Sequence, residues 1–589
     1  MRVHRVVTLS AVCLSFLGAV ATANNSDLNG WYKCSDVTFS DAGNSTGMIA
    51  ECAVYKAPLC YPGICEAPAS VDSTVDIFVK RFPAASEDPA TAHNVWLLQG
   101  GPGYSSSSLE STMSYLNYQL EGKVNIYTMD HRGTGRSTRL DCVSAQPTTT
   151  GSPFGSEIEL SEVAACAQDL QYKYGDLASF SLTSAAADIA TFIAKFTNGE
   201  DTIVYGLSYG TTLVERLMHL KTPTVIGYVL DGVATTSAAT EDKFQYFSKS
   251  EVDYGEVGDA FLDLCVDDEG CSRHFRSRSL PASLRHLIKK FDKEPHSACA
   301  QLVKKEGLYS RHSPSLSLRS ALGWMLPDPA LRAFIPVVIY RLSHCEEGDL
   351  TVLTQFFRNF KSYLETENQD VAYRSMLLYY LIVFSEMWET PAPSFGVLKK
   401  RLADSTMYLG EYEKMHETGL CKGNHFYCAY SKEKSPACDT LQLGSNGSSA
   451  IIYERDRYWN KTSVIPSHAS VLLLSSKMDA QTPHKYAKAL FKGMVGSNKE
   501  LVTFEYATHG TVMSTELAGG GEFTETCGMK LLGSYVKNGG NLDRLDKSCL
   551  DEMPALNLTI PIEQRTYFLG PTEDAYDGGT TRARTSLSE

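Results

Sequence analysis

The chain has 589 residues, of which 43% are hydrophobic and 21% charged, and its formal net charge is −14. That composition is ordinary for a globular protein and excludes a fibrous or largely disordered chain, while the length is too great for one compact core. The acidic balance argues against nucleic acid as a partner, whose phosphates it would repel.

Residues 1–23 read as a secretory signal. Arg2 and Arg5 lead, residues 6–20 form a short apolar stretch, and Ala21-Thr22-Ala23 supplies small residues for cleavage. The longest later apolar run, 376–384, is too short to cross a bilayer, and the polar C-terminus lacks an anchor signal, so a secreted protein with no membrane partner is expected. Residues 94–98, 124–129, 202–205, 225–230 and 470–474 have the β-branched and apolar content of strands, with helical patterns at 184–196 and 211–220. Buried strands alternating with helices predict a mostly parallel sheet with helices on both faces, whose ligands bind at the strands' carboxyl ends. The alternation breaks over 236–465, a mainly helical stretch with joints at Pro327-Asp328-Pro329 and Pro391-Ala392-Pro393. The expected layout is a core first part at 24–235, a helical cap insertion at 236–465, a core second part at 466–569 and a polar, disordered tail at 570–589.

Three segments carry chemistry. Gln99-Gly100-Gly101-Pro102-Gly103 follows a strand, and a glycine loop there lets substrate approach backbone N–H groups closely. Gly206-Leu207-Ser208-Tyr209-Gly210 lies between strand and helix, a turn that would project the Ser208 hydroxyl from the sheet edge. The N–H groups of Gly101 and Tyr209 are the expected oxyanion donors. Asp479 follows the strand at 470–474, and His509, the last histidine, follows a strand-like segment at 501–506. Serine, aspartate and histidine in this order make a nucleophile, an orienting acid and a general base. Asp231, after the strand at 225–230, is the rival acid. No metal-ligand spacing and no cofactor loop is present, so neither a metal nor a cofactor is expected.

Sixteen cysteines, one of them in the signal, fall in local clusters without zinc spacing, which reads as disulfides in an oxidising compartment. Proximity suggests Cys142–Cys166, Cys265–Cys271 and Cys527–Cys549, then Cys34–Cys52, Cys60–Cys65 and Cys299–Cys345, with the odd thiol among Cys421, Cys428 and Cys438. Glycosylation sequons stand at Asn24, Asn44, Asn446, Asn460 and Asn557.

The glycine loop, Asp130-His131-Arg132-Gly133-Thr134-Gly135-Arg136-Ser137, the Ser208 turn and Asp479 with Thr482-Pro483 together resemble the prolyl aminopeptidase and tripeptidyl aminopeptidase group of serine peptidases. The stretch from Cys527 through Gly539-Gly540 to Cys549 is similar to the tail of the tripeptidyl branch. Gln99 departs from that group, whose members commonly carry His or Asn there. The resemblance implies an α/β-hydrolase fold and a secreted exopeptidase whose substrate is a peptide with a free N-terminus. It also implies an acidic cap residue to hold the substrate ammonium, for which Glu386 is the candidate, and a bracing role for Asp130, Arg132 and Arg136. An esterase or lipase using the same triad is the alternative, and a non-catalytic binding member of the fold is the third reading.

Overall fold

The computed structural model describes residues 27–42, 45–142, 158–237, 240, 245–308, 312–365, 368–409, 422–443, 449–517, 525–572 and 574–577. The expected signal at 1–23, Cys421, the sequon residues Asn24, Asn44 and Asn446, and the tail beyond 577 lie outside the described residues.

One nine-stranded sheet organises the molecule. Its strands are β1 (Tyr32–Cys34), β2 (Ala50–Pro58), β3 (Thr74–Phe82), β4 (Asn94–Leu98), β5 (Asn125–Met129), β6 (Thr202–Leu207), β7 (Val225–Asp231), β8 (Ser470–Ser476) and β9 (Lys499–Phe504). They lie in the order β1-β2-β3-β5-β4-β6-β7-β8-β9. Pairings from β1 to β5 through β3 are antiparallel, and every pairing from β5 onward is parallel. With helices crossing between the parallel strands, this is an α/β-hydrolase fold.

Every residue of β4, β5 and β8 is buried, which is why these strands read as unbroken apolar runs. The first two long strands carry no such signal, because Glu51, Lys56, Asp76, Lys80 and Arg81 interrupt them. Strand pairing sets Arg81 beside Glu51 at 2.7 Å, and the buried Lys80 ammonium meets Glu110, the first residue of helix Glu110–Gln119, at 2.5 Å.

Between β7 and β8 the chain is mostly helical. The helix Met376–Glu386 and the segment around Phe426–Tyr430 pack into the apolar core beneath the sheet. The helices from Ser250–Asp263 to Glu347–Leu364 build a separate core, in which Phe334, Phe356 and Phe360 are fully buried. The C-terminal segment leaves the sheet and joins this second core. Helix Ile562–Leu569 lies on Glu347–Leu364, and the Phe568 ring sits 5.0 Å from Phe334. The sequence reading placed this helix with the sheet, and the next residues in a disordered tail. Instead, Tyr576 stacks on His274 with ring centroids 3.9 Å apart, and the buried Arg341 donates to the Ala575 carbonyl at 2.7 Å. Polar composition hid this contact, because Arg341 reads the backbone rather than side chains.

Among the described residues disulfides join Cys34–Cys52, Cys60–Cys65, Cys142–Cys166, Cys265–Cys271, Cys299–Cys345, Cys428–Cys438 and Cys527–Cys549. No described helix is long and apolar enough to cross a membrane.

Candidate active site

Strand β6 ends at Leu207, and helix Tyr209–Leu220 starts at once, so Ser208 must make the whole turn. It does so with φ 57° and ψ −125°, a conformation an L-residue holds only when its surroundings enforce it. The turn is tight enough that a Cβ on Gly206 would stand 2.4 Å from the Gly210 carbonyl oxygen. The Ser208 N–H donates to the Asp231 carbonyl at 2.9 Å, and the Thr211 hydroxyl donates to the Ser208 carbonyl at 2.6 Å. The glycine loop lies directly on Ser208, since a Cβ on Gly100 would meet Ser208 Cβ at 2.8 Å.

Asp479, fully buried, places Oδ2 2.9 Å from His509 Nδ1. Its other oxygen accepts from the backbone N–H groups of Gln481 and Thr482 at 3.0 and 2.9 Å, and the Thr482 hydroxyl donates to Oδ2 at 2.7 Å. A carboxylate held this way fixes the ring with Nδ1 protonated and leaves Nε2 as the basic nitrogen. The neighbours Met478 and Ala480 are part of the second core, so the acid sits where the sheet meets the cap. Asp231 does not touch the imidazole. Its oxygens accept from the Thr511 N–H and hydroxyl, the Val512 N–H and the Tyr205 hydroxyl, at 2.7 to 2.9 Å. Burial raises its pKa and these donors oppose the rise. The rival acid therefore anchors the backbone just after His509 rather than its ring.

Ser208, His509, Gly100, Gly101 and Tyr209 share a cavity of about 270 Å³. Its walls are largely aromatic and aliphatic, among them Tyr104, Phe247, Tyr254, Tyr379 and Tyr408, with the rings of Phe247 and Tyr379 edge to face at 6.0 Å. Two acids reach it. Asp253 is engaged by Lys485 at 2.7 Å and by the Tyr486 hydroxyl at 2.6 Å. Glu251, in the first turn of helix Ser250–Asp263, forms no ion pair among the described residues, and burial pushes its carboxyl up to about 7 against the opposing charge of Arg401. No lysine or arginine lines this cavity among the described residues.

Glu386, the acid expected to hold a substrate ammonium, is not among the residues that line the Ser208 cavity. It closes its helix and lines a smaller cavity, which shares Tyr209 and Met387 with the Ser208 cavity. There its carboxylate takes the Tyr453 hydroxyl at 3.1 Å and faces Arg216 at 3.6 Å. Helix Met376–Glu386 is apolar around most of its circumference, so the sequence did not mark which way its end would face. Glu251 was missed for a related reason: it reads as an ordinary N-terminal helix acid, and only the aromatic run Phe244-Gln245-Tyr246-Phe247 just before it hinted at a cavity wall.

The bracing residues divide. Arg132 is wholly buried on Asp188 at 2.6 Å and on the carbonyls of Leu59 and Ser179, away from the cavity. Asp130 accepts from the Ser106 N–H and hydroxyl, both at 2.7 Å, and from Arg136 Nε at 2.7 Å, which ties down the far end of the glycine loop. The two described sequon asparagines differ in access. Asn557 is exposed, whereas Asn460 is partly buried beside the smaller cavity with its Oδ1 enclosed. No cluster of described residues is arranged to hold a metal ion.

Residues 450–549 match the family described as TAP-like protein, a tripeptidyl aminopeptidase-like α/β-hydrolase family. No curated protein matches the sequence. Among solved structures, an esterase from Exiguobacterium antarcticum is 13% identical, covering 75% of this chain and 92% of its own, with a TM-score of 0.28. A monoacylglycerol lipase from Paleococcus ferrophilus is also 13% identical, covering 74% and 91%, with a TM-score of 0.26. An epoxide hydrolase from Vigna radiata is 14% identical, covering 76% and 93%, with a TM-score of 0.27. Likenesses this distant add nothing to the strand order given above. The segment that supplies Asp479 and His509 to this α/β-hydrolase fold thus matches the TAP-like family.

Proposed function

We propose that this protein is a secreted serine exopeptidase that releases residues or short peptides from free N-termini. The observation that carries the reading is the charge of the cavity around Ser208, which holds Glu251 and presents no lysine or arginine among its described lining residues. A substrate ammonium finds a counter-ion there, whereas a free carboxylate finds none. Glu251 takes the place of Glu386 as the amine acceptor.

The chemistry follows from the named groups. His509 Nε2 removes the Ser208 hydroxyl proton as Oγ attacks the scissile carbonyl, with Asp479 stabilising the imidazolium. The N–H groups of Gly101 and Tyr209 receive the oxyanion. Collapse expels the shortened peptide's amine, protonated by His509, and leaves an acyl-enzyme that water hydrolyses by the reverse proton path. The serine separates this site from epoxide hydrolases of the same fold, which need an aspartate nucleophile. The disulfides and the signal at 1–23 support secretion.

Glu251→Gln should lower kcat/KM on free-amine peptide amides by about ten- to a hundredfold, the usual worth of a hydrogen bond to a charged group. N-acetylated peptides should be poor substrates of the wild type. Equal turnover of free and acetylated peptides would refute amine recognition. The apolar wall of Tyr254, Tyr379, Met387 and Tyr408 favours a second reading, an esterase for neutral acyl groups. Rapid ester hydrolysis with no cleavage of any peptide amide would select it.

A further inference from the structure

The loop that supplies one oxyanion donor is fastened to the cap, and the fastening runs through a threonine outside the cavity. Thr134, fully buried, stands between two backbone segments. Its hydroxyl lies 2.9 Å from the Gly103 carbonyl oxygen and 3.0 Å from that of Tyr373. Gly103 is two residues past Gly101, and Tyr373 is three residues before helix Met376–Glu386, whose Tyr379 lines the cavity. The same seam is crossed by the Ser375 N–H donating to the Gly103 carbonyl at 2.8 Å and the Gly135 N–H donating to the Tyr373 carbonyl at 3.0 Å. The contact is backbone on backbone: a Cβ at Gly103 would stand 2.4 Å from the Ser375 carbonyl oxygen. Beside it, the Arg374 guanidinium covers the ring of Tyr104, another cavity residue, at 4.2 Å.

We infer that Thr134 is a positioning residue that couples the seating of the cap to the placement of the Gly101 oxyanion donor. The inference rests on the acyl-transfer reading given above. Substrate pressing on Tyr379 moves the start of its helix, and the seam passes that displacement to Gly103 and so to the donor. A hydroxyl has one proton, so Thr134 bonds one carbonyl fully or shares between both. Each carbonyl also has its own backbone donor, so removing the hydroxyl orphans neither, and the change should register in position rather than in folding. Asp130 holds Ser106, three residues beyond Gly103, so the stretch that leads back to Gly101 is set between that anchor and the seam at Gly103.

The test compares Thr134→Val, which keeps the shape and loses the hydroxyl, with Thr134→Ser, which keeps the hydroxyl and loses the methyl. Three quantities are read on the full-length protein: the rate of fluorophosphonate labelling of Ser208, kcat and KM on a peptide amide, and Tm. The expected result for Thr134→Val is a labelling rate and kcat each lowered about ten- to a hundredfold, a fraction of the loss from deleting an oxyanion donor outright, with KM and Tm nearly unchanged. Thr134→Ser should recover most of the rate. A fully active Thr134→Val overturns the inference. So does an inactive Thr134→Ser beside an active Thr134→Val, which would make the side chain a packing element only. A wild-type protein that resists the reagent overturns the Ser208 reading itself, an outcome distinct from equal labelling of wild type and Thr134→Val.

Discussion

Glu251 should be a residue at which stability and activity oppose each other. Its carboxyl is raised from 4.5 to about 7 because burial penalises the charged form. In the unfolded chain it ionises near its ordinary value, so the folded state binds the extra proton between those two pH values. Its contribution to stability is therefore intact below about pH 4.5, declines as pH rises, and levels off above about 7. The full difference corresponds to about 3 kcal/mol of destabilisation at pH 8. Glu251→Gln has no charge to bury and should escape that loss. Measured by calorimetry, the variant should melt close to wild type at pH 4.5 and a few degrees above it at pH 8, although its turnover of free-amine peptides has fallen. A melting difference that did not change with pH, or a variant less stable than wild type at pH 8, would refute the burial of this carboxyl.

Ser208→Ala should keep the wild-type melting temperature and lose all labelling by fluorophosphonates, read by mass spectrometry. Asp479→Asn should lower kcat by about four orders of magnitude, since an amide favours the wrong imidazole tautomer. Asp231→Asn should act differently, because its new N–H₂ would face the donors of Thr511, Val512 and Tyr205. A loss of about 1–3 kcal/mol in denaturant unfolding is expected, with activity per folded molecule largely kept. KM for free-amine peptides should rise as pH falls through about 7, because Glu251 is then protonated, while KM for a neutral ester should stay flat.

What could be read from the sequence was what a few adjacent residues dictate. The Ser208 turn is legible because flanking glycines, a preceding strand and a following helix all lie within twenty residues. Asp479 and His509 are legible because strand ends of a parallel sheet converge on one edge, so chain order stands in for distance. Acids of the cap follow no such rule. Glu251 and Glu386 stand on helices whose facing is decided by tertiary packing, and an apolar helix such as Met376–Glu386 carries no polar stripe to indicate its orientation. The antiparallel edge was obscured by charges that only strand pairing brings together. The C-terminal segment was obscured because its anchor, Arg341, lies more than two hundred residues away and binds main-chain carbonyls that no side-chain pattern can signal.

That anchor bears on how such a protein can be divided or recombined. The helices from Ser250–Asp263 to Glu347–Leu364 are contiguous in sequence, yet their core is closed by Leu558, Ile560, Phe568 and Leu569 from far along the chain. A segment excised between β7 and β8 would expose the surface those residues cover. An exchange of caps with a relative that left the original C-terminus behind would set mismatched side chains against Phe334 and Phe356. The inserted helices and the last twenty residues of the described chain are therefore one inheritable unit written in two places, and substitutions in one should be tolerated only alongside compensating changes in the other.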